Sequence, residues 1–342
     1  MNNISAIAMA GVSALAVTGI SGFTVIPFLR KVNFGIITEV TETKWHRIKS
    51  TLPTMGGIMP LFGMLCAVIL TVVTDRITGG DIISQGSMVA REMYTKFWSG
   101  LMTAFAFAFV GLVDDYIRIV RSPVLGLTVR QKSVYVFFVA LAYLTSLYMG
   151  MQGEPYIFIP FSGMIKTGFF HWIFGIILIY TAAGAANITD GIGGLCGGTF
   201  LVSALTLSIA AALRGNFGFS AAGAAACGAA VGFLLWNKNV LAGSTGSLLF
   251  AGVLLWLAYS IGCPIVLPLC GASYFIIGIT EVIRVIYYKL SGRKRLLKAY
   301  PLQFHLKECG LSEKKITAIF IIINIIGGAA ALIILHFGGF YR

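Results

Sequence analysis

Two adjacent carboxylates are the residues most suited to chemistry in this chain. Asp114 and Asp115 stand in the run Gly111-Leu112-Val113-Asp114-Asp115-Tyr116-Ile117-Arg118, directly after an apolar stretch. The C-terminal end of a helix carries a partial negative charge, so a carboxylate there costs roughly 0.3–1 kcal/mol. One drawn to mid-bilayer costs about 2.5–3.5 kcal/mol. A cation offsets both penalties. An i,i+4 pair from Asp114 to Arg118 accounts for one aspartate and leaves the other for solvent or a ligand. Downstream, Arg130 and Lys132 mark a membrane edge or reach back to the aspartates or to a phosphate.

A second oxygen-bearing cluster is Asn187-Ile188-Thr189-Asp190-Gly191, set between two apolar stretches with no Lys or Arg beside it. Asn187 and Asp190 share one face if helical. Asp-Gly also makes an ordinary turn, because glycine accepts a left-handed conformation. A third run, Gly243-Ser244-Thr245-Gly246-Ser247, reads first as close helix packing and second as a helix N-terminus facing phosphate. Pro53-Thr54-Met55-Gly56-Gly57 starts another apolar stretch, its glycines inviting a neighbouring backbone. Glu281 and Arg284 read as an i,i+3 ion pair. The basic and apolar residues around Arg293, Pro301 and His305 read as a segment lying at the membrane interface.

These residues must be positioned by apolar stretches. There are ten, near 4–29, 53–74, 97–113, 132–150, 169–186, 196–213, 217–236, 244–262, 264–288 and 316–338. A bilayer core of about 30 Å needs about 20 apolar residues per helix. At 58% hydrophobic and 11% charged, the 342-residue chain is an all-α polytopic membrane protein. No connection is long enough for a soluble module, so residues 1–342 read as one integral membrane domain, with no expectation of nucleic acid as a partner. The first loop carries Arg30, Lys31, Lys44, Arg47 and Lys49, and the ninth is richer still. The even-numbered loops hold only Arg76, Arg91, Lys96, Lys166 and Arg214. Positive charge favours the inside, which puts the odd-numbered loops and the working face in the cytoplasm and both termini outside. The net charge of +13 serves that topology and anionic lipid headgroups, with some cations available to phosphate. The six cysteines show neither metal-ligand nor disulfide spacing. A transporter or channel requires charged groups along a membrane path, and the stretches here are nearly free of them.

Taken in order, these motifs resemble the bacterial phospho-N-acetylmuramoyl-pentapeptide transferases, within the polyprenyl-phosphate N-acetylhexosamine-1-phosphate transferases. His46, Lys49 and the Pro53–Gly57 run, Asp114-Asp115-Tyr116, Gly126 through Lys132, Asn187 with Asp190-Gly191, and Pro301-Leu302 with His305 carry the resemblance over nearly the whole chain. The chain departs where the family has a second aspartate at Gly193, a magnesium-ligating aspartate at Ser244, and histidines at Gln303 and Phe304. The resemblance implies transfer of phospho-MurNAc-pentapeptide from its UDP-linked form to undecaprenyl phosphate in the bacterial plasma membrane, releasing UMP. It further implies Mg2+ and a homodimer. It assigns Asp114 and Asp115 to lipid-phosphate activation and metal support, and Asp190 and Asp115 to the metal, with only a hydroxyl at Ser244. Lys49, Lys132, Asn187, Gly191 and His305 are assigned to substrate. The departures leave a second expectation open: a catalytically silent or altered-specificity paralogue that binds polyprenyl phosphate or another UDP-N-acetylhexosamine.

Overall fold

A computed structural model describes residues 2–31, 53–84, 90–121, 126–291, 297 and 299–341. Among the described residues, nine helices are long and apolar enough to cross a membrane: α1 (Asn3–Lys31), α2 (Ile58–Ile77), α3 (Ala90–Arg121), α4 (Val129–Gly150), α5 (Phe170–Thr189), α6 (Leu195–Leu213), α7 (Phe217–Leu234), α8 (Gly243–Ser260) and α12 (Glu313–Phe337). The expected ninth span is broken. Pro264–Cys270, which ends in α9 (Leu267–Cys270), meets α10 (Ala272–Leu290) at 85°. Asn324 of α12 holds the break together: its Oδ1 accepts from the Ser273 amide at 2.8 Å, and its Nδ2 donates to the Thr199 carbonyl at 3.0 Å. A buried backbone group released by a broken helix needs such a partner.

The molecule is a multi-pass, largely helical membrane protein, with one small sheet among the described residues. β1 (Tyr156–Ile159) and β2 (Gly163–Lys166) form an antiparallel hairpin between α4 and α5, with Tyr156 opposite Lys166. A short α11 (Leu302–Glu308) precedes α12.

The core is organised around α8, every residue of which is buried. Alanine and glycine line α7, letting it pack closely against α1: a Cβ on Gly228 would overlap the Gly11 carbonyl. Trp256 of α8 occupies a notch left by Gly100 of α3 and meets the Phe97 ring edge-on at 5.3 Å. Without a hydrophobic drive between helices in lipid, such close packing supplies much of the association.

α3 is longer than the stretch 97–113 suggests. Its 32 residues span about 48 Å. The helix continues past the aspartates because Arg118 pairs with Asp114 one turn on, at 3.0 Å. Asp114 and Asp115 therefore lie about two turns before the helix end, away from its negative pole. At the opposite end of α3, Lys96 pairs with Glu92 at 2.6 Å, and Tyr156 of the hairpin donates to Glu92 at 2.5 Å. This second buried ionic cluster ties the hairpin to the bundle and was not foreseen from sequence.

Candidate functional site

The site is built where α3 meets the first turn of α8. Only glycine at Gly111 permits the contact, since a Cβ there would overlap the Ser244 carbonyl. The strand-like segment before α2 fixes the same turn from the other side. Gly56 and Gly57 donate to the Leu241 and Ala242 carbonyls at 2.9 Å each, and Leu241 donates back to Pro53 at 2.9 Å. A Cβ on Gly57 would overlap the Gly246 backbone. The close backbone approach expected of the paired glycines is thus realised.

A helix start leaves amide N–H groups without partners. α8 begins after Ala242, which supplies no side-chain cap. Asp115 closes it from α3 instead. Its Oδ1 accepts from the Ser244 amide at 3.0 Å, and its Oδ2 accepts from the Thr245 amide at 2.9 Å and the Thr245 hydroxyl at 2.8 Å. Gly243, at φ +70°, stands so close to Asp115 that a Cβ would meet Oδ2 at 2.5 Å.

Asp114 is fully buried and collects a different set of donors. Lys132 reaches its Oδ2 at 2.7 Å, Arg118 at 3.0 Å and the Ser244 hydroxyl at 2.5 Å, while the Leu127 amide meets Oδ1 at 2.8 Å. Lys132 comes from α4, whose start is set by a Thr128–Gln131 capping box. The single ion pair read from spacing is therefore part of a two-cation clamp.

α5 stops at Thr189, and Asp190 is extended (φ −70°, ψ 146°), so Asn187 and Asp190 do not share a helical face. Gly191 then takes φ +129° and turns the chain. Asp190 accepts from the Gly191 and Gly243 amides. Burial, reinforced by the charge of Asp115, raises its carboxyl to about 6. Asn187 Oδ1 lies 3.5 Å from the Ser247 hydroxyl of α8. Beside Asp190, a small cavity is lined by Gly193, Asn237 and Leu241 among others.

The structure thus brings Asp114, Asp115, Lys132, Asn187, Asp190 and Ser244 around one helix start, with Gly191 beside them. α11 touches the edge of this group. The Phe304 ring lies 3.0 Å from where a Gly191 Cβ would stand. Gln303 is buried and donates to the Ile188 carbonyl at 2.7 Å. His305 has Cys309 Sγ at 3.7 Å from Nε2. Lys49, together with His46 and Arg293, lies outside the described residues. Glu281 and Arg284 pair as expected at 2.8 Å, with Arg284 over the Tyr300 ring at 4.6 Å. Sequence reading placed Ser244 at a metal-ligand position with only a hydroxyl and did not single out Thr245; the signal for their contact with the aspartates was two hydroxyls at the start of a helix lacking its own cap.

Mg2+ is held by oxygen, through one or two carboxylates together with water and phosphates, in near-octahedral geometry. Among the described residues, no group of three His, Cys, Asp or Glu side chains could hold a metal ion. Each oxygen of Asp114 and Asp115 already faces a protein donor, and Asp114 carries two cations. Asp115, expected to share a metal with Asp190, has both oxygens turned into the α8 amides. The donor set among the described residues does not fit a resident Mg2+.

Known proteins with the same pattern of sequence extend across this site. The family described as Glycosyl transferase family 4 matches residues 97–262, from within α3 to just past the end of α8. A phospho-N-acetylmuramoyl-pentapeptide-transferase from Bacillus thuringiensis (strain Al Hakam) is 31% identical over 299 residues, covering 86% of this chain and 87% of its own length. Proteins of the same name from Bacillus cereus strains AH187 and G9842 match with the same identity and coverage. At that identity and coverage, the chain belongs to the phospho-N-acetylmuramoyl-pentapeptide-transferase family.

Proposed function

We propose that this protein transfers phospho-MurNAc-pentapeptide from its UDP-linked form to undecaprenyl phosphate, giving lipid I and UMP, at the inner face of the bacterial plasma membrane. The observation that carries this reading is the gathering of Asp114, Asp115 and Asp190 with Arg118 and Lys132 at one end of the helical bundle. Phosphoryl transfer depends mainly on positioning and on offsetting negative charge. A lipid-phosphate oxygen bonds to the phosphorus that bears the sugar, and the bond from that phosphorus to the oxygen bridging to UMP breaks. Lys132 and Arg118, held by Asp114 and partly open to solvent, meet the phosphate charge. Asn187 orients the nucleotide, and Asp190 takes the proton of a singly protonated lipid phosphate. Lys49 and His305 remain substrate contacts by family resemblance, as does Gly191 through its turn.

The test is to incubate purified protein with the two substrates, with and without Mg2+, and to measure UMP and lipid product. Turnover is expected, and Lys132→Met lowers it roughly 100-fold. A folded protein that releases no UMP ends this reading.

A second reading, a silent or altered-specificity paralogue, draws on Gln303 and Phe304. Gln303 is committed to the Ile188 carbonyl, and Phe304 lays an apolar ring on Gly191. Product from UDP-GlcNAc but not from UDP-MurNAc-pentapeptide favours altered specificity. Nucleotide binding without any product favours silence.

A further inference from the structure

We infer that the first turn of α8 stands in for a divalent cation: Ser244 and Thr245 hold the aspartate pair in place with no resident metal ion. The geometry of the pair carries this, independently of the reaction proposed above. Each carboxylate receives its own hydroxyl from α8, Ser244 Oγ to Asp114 at 2.5 Å and Thr245 Oγ1 to Asp115 at 2.8 Å. These are consecutive residues serving consecutive residues.

The charge balance agrees. Lys132 and Arg118 offset Asp114 at 2.7 and 3.0 Å. Asp115 has no ion pair among the described residues, yet it faces the positive end of α8 through two amides. Hydrogen bonds to a charged acceptor are the stronger kind, and among the described residues they number four on Asp114 and three on Asp115. A metal ion would have to break these contacts and approach two side-chain cations. The turn is also closely packed, because Gly57, Gly111 and Gly243 leave no space for a Cβ between it and its neighbours. A carboxylate in place of Ser244 would instead face Asp114 directly, and that like-charged pair would attract a cation.

Mn2+ is a suitable probe, since its free aqueous form gives an electron paramagnetic resonance signal that is lost on binding. Wild-type protein in detergent is expected to leave the free Mn2+ signal at the level of buffer, and excess chelator to leave its thermal midpoint unchanged. Ser244→Asp is expected to remove about one Mn2+ per chain. Uptake of about one Mn2+ per wild-type chain, lost in Asp115→Asn, overturns the inference. A folded Ser244→Asp protein that leaves the signal untouched overturns the assignment to Ser244. If that variant does not fold, the wild-type titration and the chelator experiment decide alone.

Discussion

Three aspartates of one site have three different surroundings. Asp114 has two cations, Asp115 has a helix start, and Asp190 has two amides and the repulsion of Asp115. Burial and the charge of Asp115 bring the Asp190 carboxyl near neutral pH, to about 6. Because this folded value lies above the ordinary 3.8, the fold favours the protonated form. That contribution is fully present below pH 3.8 and is lost as pH rises through about 6. Asp190→Asn is therefore expected to be more stable than wild type above neutral pH, by on the order of 1 kcal/mol, and no more stable at pH 4. Thermal unfolding of both proteins across that range checks it. In the transfer assay, wild-type rate should rise with pH through about 6, and the variant should lose this limb. Asp190 stood out in the sequence as an isolated carboxylate between apolar stretches. One of its partner amides did not, because it comes from Gly243, 53 residues away by sequence number.

At the scale of elements, long apolar stretches were legible because a lipid-facing helix must be apolar over its whole length. The extension of α3 was hidden, since its last turns are held by the Asp114–Arg118 pair and not by hydropathy. The hairpin was hidden too, because Tyr156 joins it to Glu92 across 64 residues. The break before α10 can be read in hindsight from Pro264, Pro268 and Gly271. The site depends most on the contact of α3 with α8. Gly111→Ala pushes a methyl group into the Ser244 carbonyl and is expected to destabilise the protein by about 1–3 kcal/mol, with turnover falling alongside. Gly193→Ala is the matched control: its Cβ meets nothing closer than the Asn237 carbonyl at 3.7 Å. Its thermal midpoint should stay near that of wild type.

For the whole molecule, the sidedness read from Lys and Arg makes a prediction with a native reporter. Cys309 is exposed and follows α11, on the side assigned to the cytoplasm. An impermeant maleimide is expected to label Cys309 in inside-out vesicles and not in sealed right-side-out vesicles, with Cys309→Ser as the blank. Labelling from the right-side-out face reverses the topology and moves the proposed reaction to the other side of the membrane. The two ends of the bundle are built differently: one gathers the three aspartates, and the other buries the Glu92–Lys96 pair under the hairpin. α8 runs between them with no face left for lipid. A ribosome delivers it after α1 to α7, yet its destination lies among them. Those helices must therefore leave a vacancy until residue 260 has emerged, and assembly of the interior has to wait for the last turn of α8.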